Sequence, residues 1–186
     1  MPVSDRRAFL RGAGLGLLSF TVAGAEAWLT PRQARAADAQ LEVLTPAQAA
    51  DLEAIGDAFA PGAAQAGIAW FVDKQLTLPP NDSLLIARYF NVPPPYADFY
   101  RGSVAALNAL SKARHERPFA ALETAVATEL LRELLGPDPA GWRGPPALVV
   151  YLVLRNDAVD MVYGTQGGIE NLGVPYMAHI LPPSPW

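Results

Sequence analysis

Two histidines, two aspartates three positions apart and one glycine-rich pentapeptide are the residues whose types and spacing could do chemistry in this chain. His179 lies in PYMAHI, an apolar and aromatic setting. Histidine titrates near neutral pH and can serve as a general base. Asp157 and Asp160 fall on one face if their segment is helical, and paired carboxylates can divide acid and base roles. An enzyme reading would therefore use His179 as base, assisted by Asp157 or Asp160. A plainer reading stands beside it. A histidine among apolar neighbours is commonly a buried, hydrogen-bonded structural residue. Carboxylates so spaced commonly cap a helix or pair with a nearby cation, here Arg155. His115, in KARHERP, reads as a solvated helix end. Two distant histidines make no strong metal site.

Residues 164–168, GTQGG, invite comparison with a phosphate-binding loop. They lack the Gly-Lys-Ser/Thr ending that supplies its charge, and no strand–helix–strand unit surrounds them. The glycines read instead as a helix stop that tolerates positive backbone torsions. There is no Gly-x-Ser-x-Gly nucleophile elbow. Cysteine is absent. That removes disulfides, c-type haem attachment, iron–sulfur ligation and thiolate zinc sites together.

The elements that must position these residues read as helices. In LTPAQAADLEAIGDAF, Thr45 is an N-cap, Pro46 takes the first helical position and Gln48 completes a capping box. Leu52, Ile55 and Phe59 recur at helical spacing and should face a core. Further helices are expected over 65–78, 82–90, 96–113 and 118–135, with Leu122, Val126, Leu130 and Leu134 inward in the last. Proline runs at 79–80 and 93–95 break the series and should be stiff, extended connectors. Ala147 to Leu154 is an unbroken apolar run that periodicity cannot divide between strand and helix. Helix is the better reading, because no second strand-like segment is present to pair its backbone. Beyond Gly164 the chain is rich in Gly, Pro and aromatics and has no period. The expected fold is all-α: a single compact helical domain of five to six helices with an irregular C-terminal extension.

The N-terminus reads differently. SDRRAFLRGAGLGLLSF, residues 4–20, has Arg6-Arg7 followed by Phe9 and Leu10, then a mildly apolar, glycine-rich stretch. The stretch is too weakly apolar for a membrane-spanning helix. Ala34 and Ala36 stand at the minus-three and minus-one positions of a cut before Ala37. This order is that of a twin-arginine (Tat) export signal, used by proteins that cross a membrane already folded. Residues 1–36 are then a cleaved signal, and 37–186 one domain of ordinary size in the periplasm. Such a domain buries roughly 68–70% of its unfolded surface and needs no metal or disulfide. Five of the 14 basic and two of the 18 acidic residues precede Ala37, leaving 9 and 16, a net charge of −7. That balance argues against nucleic acid and anionic lipid as partners.

The stretch RNDAVDMVYGTQGGIENLGVPYMAHILPPSPW, with LTPAQAADLEAIGDAFAPG and GIAWFVDKQL, resembles the gluconate 2-dehydrogenase subunit 3 family. Arg155, Asp157, Asp160, Tyr163-Gly164, Gly173, Pro175 and Tyr176 carry the resemblance most specifically. It implies a small, non-catalytic subunit of a periplasmic flavoprotein dehydrogenase, with no cofactor of its own. The implied partner is a large subunit of the glucose–methanol–choline (GMC) oxidoreductases that carries FAD; a multihaem cytochrome c subunit often takes the electrons. The small subunit would act as an export escort, engaging the Tat translocase transiently. Candidate contacts with the flavoprotein are Tyr163, Gly164, Pro175, Tyr176, His179 and Trp186, since aromatic side chains commonly anchor interfaces. Other members often carry a Gly-rich, Asn-containing loop after the Tyr-Gly pair; this chain has Thr165-Gln166-Gly167-Gly168, so gluconate is not implied as the substrate. A free-standing periplasmic helical binding module is the alternative to the escort.

Overall fold

The same four-residue chemistry, Thr-Pro-x-Gln, starts two helices. The computed structural model describes residues 16–165 together with Gly168, Leu172 and Gly173. Helix α1 (Pro31–Ala36) is opened by Thr30, and helix α2 (Pro46–Phe59) by Thr45. In each, the threonine hydroxyl accepts the N–H of the glutamine at 3.2 Å, and the glutamine Oε1 accepts the threonine N–H at 2.9 Å. Two otherwise unpaired donors are satisfied reciprocally, and proline takes a position whose missing N–H costs nothing.

Before α1 comes a hairpin of two antiparallel strands, β1 (Leu18–Val22) and β2 (Ala25–Leu29), with Phe20 opposite Ala27. Its two-residue turn, Ala23-Gly24, has φ of +50° and +82°, the geometry that matches strand twist. The order then runs α3 (Ala63–Ala66), α4 (Ile68–Leu76), a 3₁₀ turn (Ile86–Phe90), α5 (Tyr96–His115), a second 3₁₀ turn (Phe119–Ala121), α6 (Thr124–Glu133) and α7 (Ala147–Tyr163). The fold is mainly helical, as the sequence predicts. The hairpin is an addition, in a stretch read as signal rather than fold.

Helix α2 lies at the centre and packs on α3, α4, α5, α6 and α7. Leu52 and Ile55 are buried, each worth roughly 1.5–3 kcal/mol relative to exposure. Phe59, expected in the core, is only partly buried and meets Tyr151 edge to face at 5.1 Å between ring centroids. Helix α7 settles the ambiguous apolar run. Its buried residues, Ala147, Val150, Val153, Leu154, Asp157 and Ala158, follow a helical stripe. No helix among the described residues is long and apolar enough to cross a membrane.

Three expected helices are broken or shortened, and side chains explain the first of them. Over 82–90 only Ile86–Phe90 turns, as 3₁₀, because Gln75 Oε1 accepts the Leu84 N–H and Asp157 Oδ1 accepts the Ile86 N–H. Backbone donors satisfied from outside need no helix of their own. After Pro118, Asn108 Oδ1 accepts the Phe119 N–H at 2.8 Å and caps a 3₁₀ turn; Leu122 and Glu123 are extended, and α6 starts only at Thr124. Along α6 the core face is Ala127, Leu130, Leu131 and Leu134, while Leu122 and Val126 are half-buried. The third break is at Gly67, whose φ of +88° separates α3 from α4 where one helix over 65–78 was expected. The Pro93–Pro95 connector contains a cis Pro94–Pro95 bond rather than a simple extended run.

Candidate functional site

Asp157 is 1% exposed, in the middle of α7. Its Oδ2 accepts the phenolic O–H of Tyr100 on α5 at 2.5 Å, and its Oδ1 accepts the Ile86 N–H at 3.1 Å. Burial pushes its carboxyl up to about 7; the two hydrogen bonds oppose that shift and the nearby Asp160 adds a little to it. Burial, reinforced by Asp157, likewise holds the Tyr100 hydroxyl well above the ordinary tyrosine range.

This geometry corrects the paired-carboxylate expectation. Asp160 is exposed while Asp157 is enclosed, so the two do not present a shared pair of carboxylates. Arg155 does not pair with Asp157 either: it is exposed, with Nη1 3.4 Å from Asn156 Oδ1. A general base must reach the proton that it removes, and both oxygens of Asp157 are taken from within the fold. Surface hollows of about 380 and 170 Å³ are lined by residues 38–41 with Trp70 and by Phe119 with Asp57; neither includes Asp157 or Asp160. Asp157 is a clasp that joins α7 to α5 and to the 3₁₀ turn.

Other aspartates are used the same way. Asp73 is buried and accepts three successive backbone donors, from Glu42, Val43 and Leu44, at 2.7–2.9 Å. Asp57 Oδ1 accepts the N–H groups of Gly62 and Ala64. Asp138 Oδ1 accepts the Ala147 N–H at 2.9 Å and so caps α7, whose flanking Pro146 cannot. Buried at Asp73 and Asp157, half-buried at Asp57 and exposed at Asp138, these carboxylates hold backbone in place.

What the clasp positions is an exposed apolar segment. Leu84 is 60% and Tyr89 66% exposed, on either side of the pinned Ile86. The Arg88 guanidinium lies 5.7 Å from the Tyr89 ring centroid. Sequence reasoning did not single out this segment, because its pins come from Gln75 and Asp157, 9 and 71 positions away. Of the expected contact residues, Tyr163 is half-buried at the end of α7 and Gly164 is exposed. Gly164 does end the helix, but at φ −73°; glycine is required because a Cβ would stand 2.5 Å from the Asp160 carbonyl oxygen. His115 is exposed, as expected. Pro175, Tyr176, His179 and Trp186 lie outside the described residues, as do Arg6, Arg7, Phe9 and Leu10. Ala34 and Ala36 are in α1, and Ala37 is its C-cap.

A family model described as gluconate 2-dehydrogenase subunit 3 matches residues 31–180, well over half of the chain. The chain belongs to the gluconate 2-dehydrogenase subunit 3 family. No curated protein and no solved structure matches it. The subunit 3 match begins at the first residue of α1 and runs through the whole helical core. Subunit 3 is an accessory subunit of the dehydrogenase complex, which places this chain beside a larger catalytic partner.

Proposed function

We propose that the chain is the non-catalytic small subunit of an FAD-dependent, GMC-type dehydrogenase acting on alcohols or sugars in the periplasm, and that it escorts the folded flavoprotein through the Tat pathway. The observation that carries the reading is the family match over residues 31–180. The N-terminal order of Arg6-Arg7, a mildly apolar stretch and small residues adds the export role. The enclosed Asp157 and Asp73 fit a chain whose carboxylates hold structure. FAD sits on the partner in this reading, and a multihaem cytochrome c subunit takes the electrons. Binding only the folded partner stabilises that partner by mass action.

The exposed segment with Leu84 and Tyr89 joins Tyr163, Gly164, Pro175, Tyr176, His179 and Trp186 as a contact candidate. Large apolar side chains held on a pinned backbone lose little entropy on docking. The test is co-expression with the flavoprotein, followed by fractionation. The two chains should co-purify from the periplasm with bound flavin, and Arg6→Lys with Arg7→Lys should leave both in the cytoplasm. Export of the flavoprotein regardless of the arginines would defeat the escort reading.

A further inference from the structure

Ala34 is 0% exposed, yet it occupies the minus-three position of the expected cut. Phe20, Ala34 and Ala39 form a small buried cluster, packed by Leu18, Val22, Leu29 and Trp70. Phe20 and Ala34 precede the Ala36–Ala37 bond; Ala39 and Trp70 follow it. Trp70 also packs on the main core, so the cluster is continuous with the domain.

Hydrogen bonds cross the same bond. Ala37 N–H reaches the Gln33 carbonyl and Ala39 N–H the Ala34 carbonyl, each at 2.9 Å. Gln40 N–H reaches the Thr21 carbonyl, in β1, at 2.8 Å. Arg35 pairs with Glu53 of α2. The Pro31 carbonyl comes so near Gly67 that a Cβ there would stand 2.3 Å from its oxygen. The capping box at Thr30 fixes where the helix begins. The family match, too, starts at Pro31, before the cut rather than after it.

We propose that folding protects the Ala36–Ala37 bond from hydrolysis, and that Leu18–Ala37 is a built-in part of the domain which keeps the export segment attached. A peptidase needs its substrate extended in the active site; Ala36 and Ala37 are themselves exposed, but the bond closes a helix whose minus-three residue, Ala34, is buried, so it is cut only through local opening. A chain exported already folded meets the peptidase with this helix formed. The inference rests on reading the N-terminus as an export signal, as proposed above.

The direct test uses the full-length chain, purified folded, and a urea-denatured copy diluted into the same assay. Both are incubated with signal peptidase in detergent micelles, and products are read by intact mass. The folded chain should lose residues 1–36 at least about tenfold more slowly than the denatured copy. Phe20→Ser, which puts a hydroxyl into the small cluster, should speed the cut while the main helical circular dichroism is kept. Equal rates for folded and denatured wild-type chain overturn the proposal, as does a periplasmic species that begins at Ala37. If the chain is never exported, the escort reading fails, while the peptidase comparison still decides whether the bond is protected.

Discussion

Tyr100 and Asp157 are 57 positions apart in sequence and meet at 2.5 Å in the interior, hydroxyl to carboxylate. The pair ties the longest helix of the domain to α7, and the other oxygen of Asp157 holds the backbone at Ile86. A buried carboxyl with two donors and, among the described residues, no paired cation gives stability a defined pH dependence.

The sign follows from the direction of the shift. Asp157 goes from an ordinary 3.8 to about 7 in the folded chain, so folding favours its protonated form. Its contribution is fully present below about pH 4 and is lost as pH rises towards about 7. Between pH 5 and pH 8 the loss is about 3 kcal/mol. Asp157→Asn removes the titration and should gain on the wild type by that order as pH rises. Tyr100→Phe removes a donor that favours the ionised form, so its decline should extend to higher pH. Urea unfolding of the three chains at pH 5 and pH 8 checks both; parallel wild-type and Asn profiles would exclude the clasp as the source.

Asp73 has more donors to lose. Its Oδ1 takes the Val43 and Leu44 N–H groups, and its Oδ2 takes that of Glu42. Asp73→Leu strands all three in or near the core, at about 1–3 kcal/mol for each that finds no water. Asp73→Asn keeps one carbonyl oxygen, which can still accept two of them. The Leu variant should therefore unfold at clearly lower urea than the Asn variant, with a difference of at least about 2 kcal/mol. Similar midpoints for the two would mean that the carboxylate is not what organises residues 42–44.

How much of this was legible depends on how far each cause reaches along the chain. The start of α2 is written locally in Thr45, Pro46 and Gln48, and it was read directly. The helical state of 147–163 was reached by elimination, since its apolar run has no period of its own. The split at Gly67 was not readable: it follows from α1 lying against it, 36 positions upstream in the chain order from Gly67 to Pro31. The same holds for Asp73 and Asp157, whose donors lie about 30 and 71 positions away. A carboxylate that holds distant backbone looks, in sequence, like one that could do catalysis. The hairpin was missed for another reason. The glycine-rich apolar stretch that contains it resembles an export signal, and that resemblance removed Leu18–Leu29 from fold reasoning.

Tyr89 offers a separation of docking from folding. It is 66% exposed, so Tyr89→Ser should change unfolding free energy by no more than about 0.5 kcal/mol. If the pinned segment docks on the flavoprotein, the same change should weaken the complex by about 1–2 kcal/mol, close to tenfold in Kd. Leu84→Ser should behave alike. Titration of the flavoprotein with each purified variant measures this. Affinity unchanged in both would remove the segment from the interface and leave the residues around Tyr163.

Gly67 tests whether α1 belongs to the domain. Its φ of +88° disfavours any side chain, and a Cβ would stand 2.3 Å from the Pro31 carbonyl oxygen, on backbone that cannot rotate away. Gly67→Ala must therefore push α1 off α4 or distort the break between α3 and α4. Where α1 is packed as described, the variant should lose about 1–3 kcal/mol of stability. It should also open the Arg35–Glu53 pair and raise protease cutting between Thr30 and Ala39. The comparison is Gly62→Ala, which has a similar φ of +98° and open space around its Cβ. That change carries the torsional cost alone. A larger loss at Gly67 than at Gly62, with new cutting near α1 only in the former, locates the excess in the contact with Pro31. Equal losses and no new cutting would mean that α1 does not rest on Gly67 in solution.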